Sequence, residues 1–269
     1  MDIKQLQHAI SRTPVREIRV FETIGSTNDV ALDWADNRAP DFSLVIANEQ
    51  TKGRGRFDRQ WVTKPGSSLA FSLILKPSTD EVGRLHLFAP LCGLAVHDAF
   101  HSLFDLDAEI KWPNDILINR KKCSGILVEA AWSGNVINRI VLGIGINVSL
   151  ASLPPPELQL FTAMCLENAL NKPVDRFQVL TAVLQSIHKW RSLIGTDEFF
   201  AEWQRNLAFK GERVMIVDSE KQSIIGIEKG IDELGRLVLI LENKDEIAFE
   251  VGDVHLRPAD FSLTGGTHA

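Results

Sequence analysis

The sequence predicts an α+β fold, in which a mixed, largely antiparallel sheet carries covering helices and is followed by a small β-barrel. Three observations carry that prediction. Short β-rich runs separated by turn residues fill positions 110–148, so successive strands pair as hairpins. Positions 84–104 and 177–187 are patterned as helices, the second through Phe177, Leu180, Val183, Leu184 and Ile187 at three- and four-residue spacing. From Lys210 to Pro258 five short strands follow one another closely, the spacing of a small barrel.

Residues 1–25 begin with one short helical stretch and continue as a strand, Val15 to Thr23, by alternation. Ser26-Thr27-Asn28-Asp29 opens a helix over Val30 to Ala35, because hydroxyl and amide side chains accept from the free amides of a first turn. Phe42 to Ala47 and Leu69 to Leu75 read as strands, and a charged loop closed by Pro65-Gly66 runs between them. Arg84 to Phe104 is predicted as a long helix that Pro90 kinks or splits, since proline lacks a backbone donor. Strands follow at Ile110 to Trp112, Ile116 to Asn119, Cys123 to Ala130 and Arg139 to Val148, with turns at Asn119-Arg120 and Ser133-Gly134-Asn135. Pro154-Pro155-Pro156 breaks the chain before two more amphipathic helices, expected on one face of the sheet. The barrel strands are Val214 to Val217, Ile224 to Ile227, Leu237 to Leu241, Ile247 to Phe249 and Val254 to Leu256, with turns at Asp232 to Gly235 and Asn243-Lys244. The expected division is 1–208, 209–258 and a frayed tail, 259–269.

Of 269 residues, 45% are apolar and 24% charged, the mixture of a soluble globular chain and not of a disordered or collagen-like one. Cys92, Cys123 and Cys165 lie far apart without a CxxC pair, so neither a zinc cage nor a disulfide framework is encoded and a reducing compartment is expected. The first residues lack a basic region followed by an apolar core, and no apolar run approaches the roughly 20 residues of a membrane span. A cytoplasmic setting without a membrane partner is therefore expected. The net charge of −6 argues against bulk attraction to nucleic acid.

Local charge runs the other way. Between Gln50 and Lys64, the basic residues Lys52, Arg54, Arg56, Arg59 and Lys64 face the single acid Asp58. A solvated surface loop is the bland reading, but the interleaved Gly53 and Gly55 let backbone wrap an anion, and arginine's planar fork suits phosphate oxygens. Trp61 can then stack on a nucleobase. Gly53-Arg54-Gly55-Arg56 is no dinucleotide fingerprint, because Asp58 stands where the third glycine belongs. Gly143-Ile144-Gly145-Ile146-Asn147 lies inside an apolar strand, where its glycines permit a close approach. His97-Asp98-Ala99-Phe100-His101 resembles a zinc-binding helix, but a third ligand is not apparent and the histidines read as ordinary helix residues. There is no GxxxxGK[ST] string, no GxSxG elbow and no cysteine beside an obvious base. Lys111-Trp112-Pro113-Asn114-Asp115 joins a lysine, an aromatic, a rigid turn and an Asn-Asp pair, the composition of a fixed site.

Together these strings resemble the biotin protein ligases, also called biotin–acetyl-CoA-carboxylase ligases. The resemblance rests on Ser26-Thr27-Asn28, Gln50 to Arg56 with Arg59-Gln60-Trp61, Lys111 to Asp115, Lys122 to Glu129 and Gly143 to Asn147, and it runs from about residue 20 to 258. It implies a catalytic domain of the class II synthetase-like kind over 1–208 and an SH3-like barrel over 209–258. The implied reaction joins biotin to ATP as biotinoyl-5′-AMP and then transfers biotin to a lysine of a biotin carboxyl carrier domain, with magnesium as cofactor. The chain's lack of an evident nucleophile suits this chemistry, since the acyl phosphate is itself the activated intermediate.

By that likeness Lys111 sits near the biotin carboxylate and the α-phosphate, with Arg54 and Arg56 closing from the loop; these three are the expected catalytic residues. Ser26, Thr27 and Gln50 would hold the ureido head, and Asn28 belongs to the same expected binding set. Trp61 would support the adenine with Arg59 and Asn147 nearby, and Gly53, Gly55, Asn114, Gly125 and Leu127 complete the expected binding set. No magnesium ligand is named by the sequence. Phe57-Asp58 stands where the family pattern has Arg-Gly, removing one charge and one flexible residue from the loop. The chain before Ser26 is too short for a winged helix, so DNA binding is not expected; a homodimer is left open. The rival readings are a lipoate–protein ligase, whose family lacks the arginine-glycine loop, and a noncatalytic biotin sensor.

Overall fold

A computed structural model of the chain describes residues 1–57, 59–134, 136–155, 161–217, 222–250 and 255–259. Asp58, Asn135, Pro156, Val254 and the tail from 260 on, all named above, lie outside the described residues.

Seven strands form the main sheet in the order β1-β2-β3-β7-β6-β5-β4. They are β1 (Ile18–Ile24), β2 (Ser43–Gln50), β3 (Ser68–Leu75), β4 (Glu109–Lys111), β5 (Asp115–Ile118), β6 (Lys121–Ser133) and β7 (Val136–Asn147). Only the β1–β2 pair is parallel; the other five pairings are antiparallel, as the closely spaced turns require. Asn119 and Arg120 both have positive φ, 49° and 61°, the geometry of a two-residue hairpin turn between β5 and β6.

Among the described residues seven α-helices accompany the strands: α1 (Ile3–Ile10), α2 (Thr27–Asp36), α3 (Thr79–Val82), α4 (Phe88–Phe104), α5 (Leu166–Leu170), α6 (Arg176–Leu193) and α7 (Asp197–Arg205). Strand alternation sends Leu44, Ile46, Phe71, Leu73, Leu142 and Ile144 into a large core with α4 and α6. Val45, Ile74, Ala131 and Val141 point to the opposite face, against Ala31, Trp34 and Ala35 of α2. The sheet is thus covered on both faces. Two helices were expected after the proline run and three are found among the described residues; α5, only a turn and a half long, is too short to leave a periodic pattern.

Pro90 does not bend α4. The predicted helix is split ahead of it, into a 3-10 turn at Leu85–Leu87 and α4 from Phe88, so that proline occupies the first turn, where its missing N–H has no intrahelical acceptor to lose. Leu85–Phe104 also corrects the statement about apolar runs. An 18-residue window within it reaches a mean hydropathy of 1.3, so by length and composition it could cross a bilayer, but Leu91, Cys92, Leu94, Ala95, Val96 and Ala99 are buried in the core.

Beyond α7, β8 (Arg213–Val217), β9 (Ser223–Ile231), β10 (Leu237–Ile240), β11 (Glu246–Phe249) and β12 (His255–Pro258) form an all-antiparallel sheet in the order β11-β10-β9-β8-β12. Among the described residues no pairing joins β11 to β12, so what stands is a five-stranded sheet. Its Val214, Ile216, Leu237, Leu239 and Leu256 belong to the large core. Trp112, fully buried, donates from Nε1 to Gly235 O at 3.3 Å and so ties the β4–β5 turn to this sheet.

Candidate active site

On the α2 face of the sheet, beyond the end of that helix, the side chains run out. Gly125 of β6 pairs with Gly145 of β7, and Leu127 pairs with Gly143. These glycines leave space, and two side chains fill it. A Cβ on Gly143 would lie 2.2 Å from Asn28 Oδ1, and one on Gly145 would lie 2.3 Å from the Trp61 ring. The close approach predicted at Gly143-Ile144-Gly145 is therefore made by the chain's own Asn28 and Trp61. Over this floor opens a cavity of about 360 Å³.

Ser26, Thr27 and Asn28 enter from the start of α2, buried to within 4% of full coverage. They do not cap the helix as expected: Ser26 makes no side-chain cap bond, and the other two side chains turn into the cavity wall. Thr27 donates from N and Oγ1 to Gln50 Oε1, at 2.7 and 3.0 Å. Ser72 Oγ lies 2.8 Å from Thr27 Oγ1 and 2.5 Å from Asn28 Oδ1. Asn28 Nδ2 donates to Glu129 Oε2 at 2.7 Å, and Gln50 N donates to Thr63 Oγ1 at 2.7 Å. This end of the cavity is a neutral hydrogen-bonding wall.

The charged loop folds back on itself. Trp61 N donates to Gly53 O, Gly55 N to Arg59 O, and Arg54 bridges Gln60. Gly53 does not line the cavity; a Cβ there would stand 2.4 Å from Trp61 O, so its glycine is needed to close the loop. Arg56 donates to Asn114 Oδ1 at 3.3 Å, and Asn114 in turn donates to Ile126 O at 2.8 Å. Phe57, in the left-handed region at φ 57°, lies beneath the Arg56 guanidinium, 4.8 Å from its carbon.

Arg54 lines the cavity with the other loop residues, and its guanidinium is engaged by carboxylates: it forms a bidentate pair with Glu129, at 3.0 and 2.8 Å, and contacts Asp29 at 2.7 Å. The reason is register. Glu129 lies two residues beyond Leu127 on the same face of β6, and so comes up beside Asn28 under the loop's first limb.

The opposite end is cationic. Lys111 and Asp115 are cross-strand partners flanking the Trp112-Pro113-Asn114 turn, whose Trp112–Pro113 bond is cis. Lys111 Nζ lies 3.3 Å from Asp115 Oδ2, and Lys122 Nζ lies 2.6 Å from Asp115 Oδ1. Burial, joined by Lys122 and Arg59, lowers the Lys111 pKa against the pull of Asp115. Burial would raise the pKa of Asp115, but Lys122 and Lys111 outweigh it and hold the carboxyl well below the usual range. Trp61 spans the two ends. Its ring lies 5.7 Å from Lys122 Nζ, and its buried Nε1 has no hydrogen-bond partner among the described residues.

Apart from Gly53, every residue of the expected binding set lines this one cavity, including Gly55, Arg59, Gly125, Leu127 and Asn147. Asn147 is buried and donates to Met164 O at 3.1 Å. The cavity also takes in residues that sequence reasoning left out of the set: Phe57, Asp115, Lys122 and Phe161, whose ring lies 5.4 Å from Lys111 Nζ. The first three stand within or beside the quoted strings; Phe161 carries no sequence signal. Away from the cavity His97 Nδ1 meets Ala108 O at 2.7 Å, in keeping with an ordinary helix residue.

A model of the biotin/lipoate A/B protein ligase family matches residues 20–147. A bifunctional ligase/repressor BirA from Bacillus spizizenii is 36% identical over 229 residues, covering 84% of this chain and 69% of that protein. A biotin–acetyl-CoA-carboxylase ligase from Paracoccus denitrificans is 32% identical over 228 residues, 80% of this chain and 90% of that one. The chain belongs to the biotin protein ligases. A solved biotin protein ligase from Aquifex aeolicus, in complex with biotin and ATP, aligns with a TM-score of 0.79 at 27% identity, covering 91% of this chain and all of that one. Within this biotin protein ligase the five strings that carried the resemblance meet at one cavity, although they are spread over 26–147 of the chain.

Proposed function

We propose that this ligase forms biotinoyl-5′-AMP from biotin and ATP and passes biotin to a lysine of a biotin carboxyl carrier domain. One observation carries the reading: one cavity has a prearranged hydrogen-bonding wall of neutral side chains at one end and, at the other, Lys111 and Lys122 on the Asp115 carboxylate, with Arg56 and Arg59 also in its lining. An uncharged ureido head suits Ser26, Thr27 and Gln50; a polyphosphate suits the cations. Trp61, whose ring lies over Gly145, is the proposed support for the adenine.

In the first step a carboxylate oxygen of biotin bonds to the α-phosphorus. The bond from that phosphorus to the bridging oxygen breaks, and pyrophosphate leaves with the electron pair. Charge grows on the α-phosphoryl oxygens, and buried cations already in place stabilise it more than mobile water would. Lys111 is the group best sited for this, held by Asp115 from below. In the second step the uncharged amine of the carrier lysine adds to the acyl carbon, the carbon–oxygen bond to phosphate breaks, AMP departs with that pair, and the nitrogen loses a proton.

Magnesium would accompany the nucleotide. Among the described residues no group of three or more His, Cys, Asp or Glu is arranged to hold an ion, and Asp115 is engaged by two lysines, so phosphate oxygens and water are its expected ligands and no step is assigned to it. The division into 1–208 for biotin and ATP and 209–258 as an SH3-like unit is part of the proposal, as is a cytoplasmic setting, to which the three buried free cysteines are suited.

The test is biotin-dependent exchange of labelled pyrophosphate into ATP, followed by a streptavidin blot of a carrier domain. Exchange and labelling with biotin support the reading. Transfer from lipoate alone, or no exchange at all, refutes it in favour of a lipoate ligase or a sensor.

A further inference from the structure

The loop over the cavity has two limbs, and they are held differently. The second carries Arg59 and Trp61 toward the cavity. The first is fixed by Arg54, whose two terminal nitrogens pair fork to fork with the two Glu129 oxygens at 3.0 and 2.8 Å. Bidentate, charge-assisted bonds of this kind fix orientation as well as distance. Glu129 is also more than a surface partner. It sits on the interior strand β6 with its side chain 25% exposed, and the oxygen that meets Arg54 Nη2 accepts from Asn28 Nδ2 as well. Asp29, the next residue of α2, closes on the same guanidinium at 2.7 Å. One carboxylate therefore joins the loop, the start of α2 and the floor of the sheet.

We propose that Glu129 is a positioning residue that latches the 51–61 loop over the cavity: with Asp29 it holds Arg54 and so fixes the first limb, to which the limb presenting Arg59 and Trp61 to the nucleotide is bonded. The proposal rests on the ligase reading for its consequence but not for its geometry. Releasing the latch at Glu129 frees the loop without removing a residue that lines the cavity, whereas release at Arg54 also alters the lining. The adenylate is then retained less well, while the cations that stabilise the first step stay in place.

Two readouts keep the latch and the ligase reading apart. Trypsin cleavage after Arg56 and Arg59 in the folded protein reports loop release whether or not the protein is an enzyme. Dissociation of preformed biotinoyl-AMP reports the functional consequence. Glu129→Gln should speed both by about tenfold, the loss of one charge-assisted pair, with a melting temperature lowered by no more than about 3 °C. Arg54→Gln should do the same, and the double variant should be no faster than either single one, because both substitutions open one latch. Should Glu129→Gln fold poorly, Glu129→Asp, which keeps the charge but shortens the reach, should show an intermediate release that the Arg54→Gln background abolishes. Wild-type cleavage in Glu129→Gln, or effects that add in the double variant, would overturn the latch. Faster cleavage in a protein without pyrophosphate exchange would leave the latch standing and remove the ligase reading.

Discussion

Glu228 offers the sharpest quantitative test of the fold. Along β9 alternate residues face inward, and this puts Glu228 between Gly226 and Gly230 on the covered side, fully buried and opposite Leu239. Neither carboxyl oxygen has a hydrogen-bond partner among the described residues. Burial and the nearby Glu212 raise its pKa from 4.5 to about 8, against the opposing pull of Arg120 and Lys111. Above pH 4.5 the unfolded chain has released this proton while the folded one keeps it, so folding takes up a proton and stability falls as pH rises, until the folded group itself ionises near pH 8. The slope is about 1.4 kcal/mol per pH unit, and the full interval is worth up to about 5 kcal/mol. Glu228→Gln keeps the shape and removes the titration. Melting curves of variant and wild type should nearly coincide at pH 4.5 and separate progressively to pH 8, with the variant higher by as much as about 10 °C at roughly 2 °C per kcal/mol. A gap that stays constant across that range, or a variant that melts lower at pH 8, would refute the claim that an uncompensated acid is buried there.

Four further outcomes follow from the site. Lys111→Ala should lower biotin-dependent pyrophosphate exchange on the order of a hundredfold or more, the usual effect of losing one preorganised donor, as measured by initial rates. Arg56→Gly should leave the first step within severalfold of wild type but increase escape of biotinoyl-AMP, read by trapping the released adenylate. Gly145→Ala places a methyl 2.3 Å from the Trp61 ring and should raise the KM for ATP about tenfold or more, with a shift in tryptophan emission reporting the displaced ring. Asp115→Asn removes the counter-charge shared by two lysines, so the Lys111 ammonium should titrate at lower pH and the alkaline limb of the exchange-rate profile should move down.

Much of this was legible in the chain, for identifiable reasons. Turn chemistry placed the β5–β6 hairpin at Asn119-Arg120, because asparagine tolerates the left-handed backbone that the turn needs. The KWPND string and the arginine-glycine loop were visible as compositions unlike a solvated edge. What could not be read was pairing at a distance. The parallel contact of β1 with β2 depends on a crossover through α2, and nothing local encodes it. Arg54 looked like its neighbour Arg56, since its preference for Glu129 arises only when β6 brings that residue to the loop. Thr27 and Asn28 read as helix caps because their chemistry is the same whether the acceptor or donor is a backbone amide or Gln50, Ser72 and Glu129. Glu228 was missed because the strand was read as ending at Ile227, one residue short of it.

The bond from Trp112 to Gly235 has a practical bearing on how the molecule can be divided. The lysine at the cationic end precedes an indole whose only hydrogen-bond acceptor among the described residues belongs to the small sheet, and Gly235 lies against Trp203 of α7. Cutting the chain at 208 would strip that indole of its acceptor and bare the apolar surface beneath the turn. A shortened protein should therefore lose the footing of its own active centre, even though none of the strings that identify the family would have been touched.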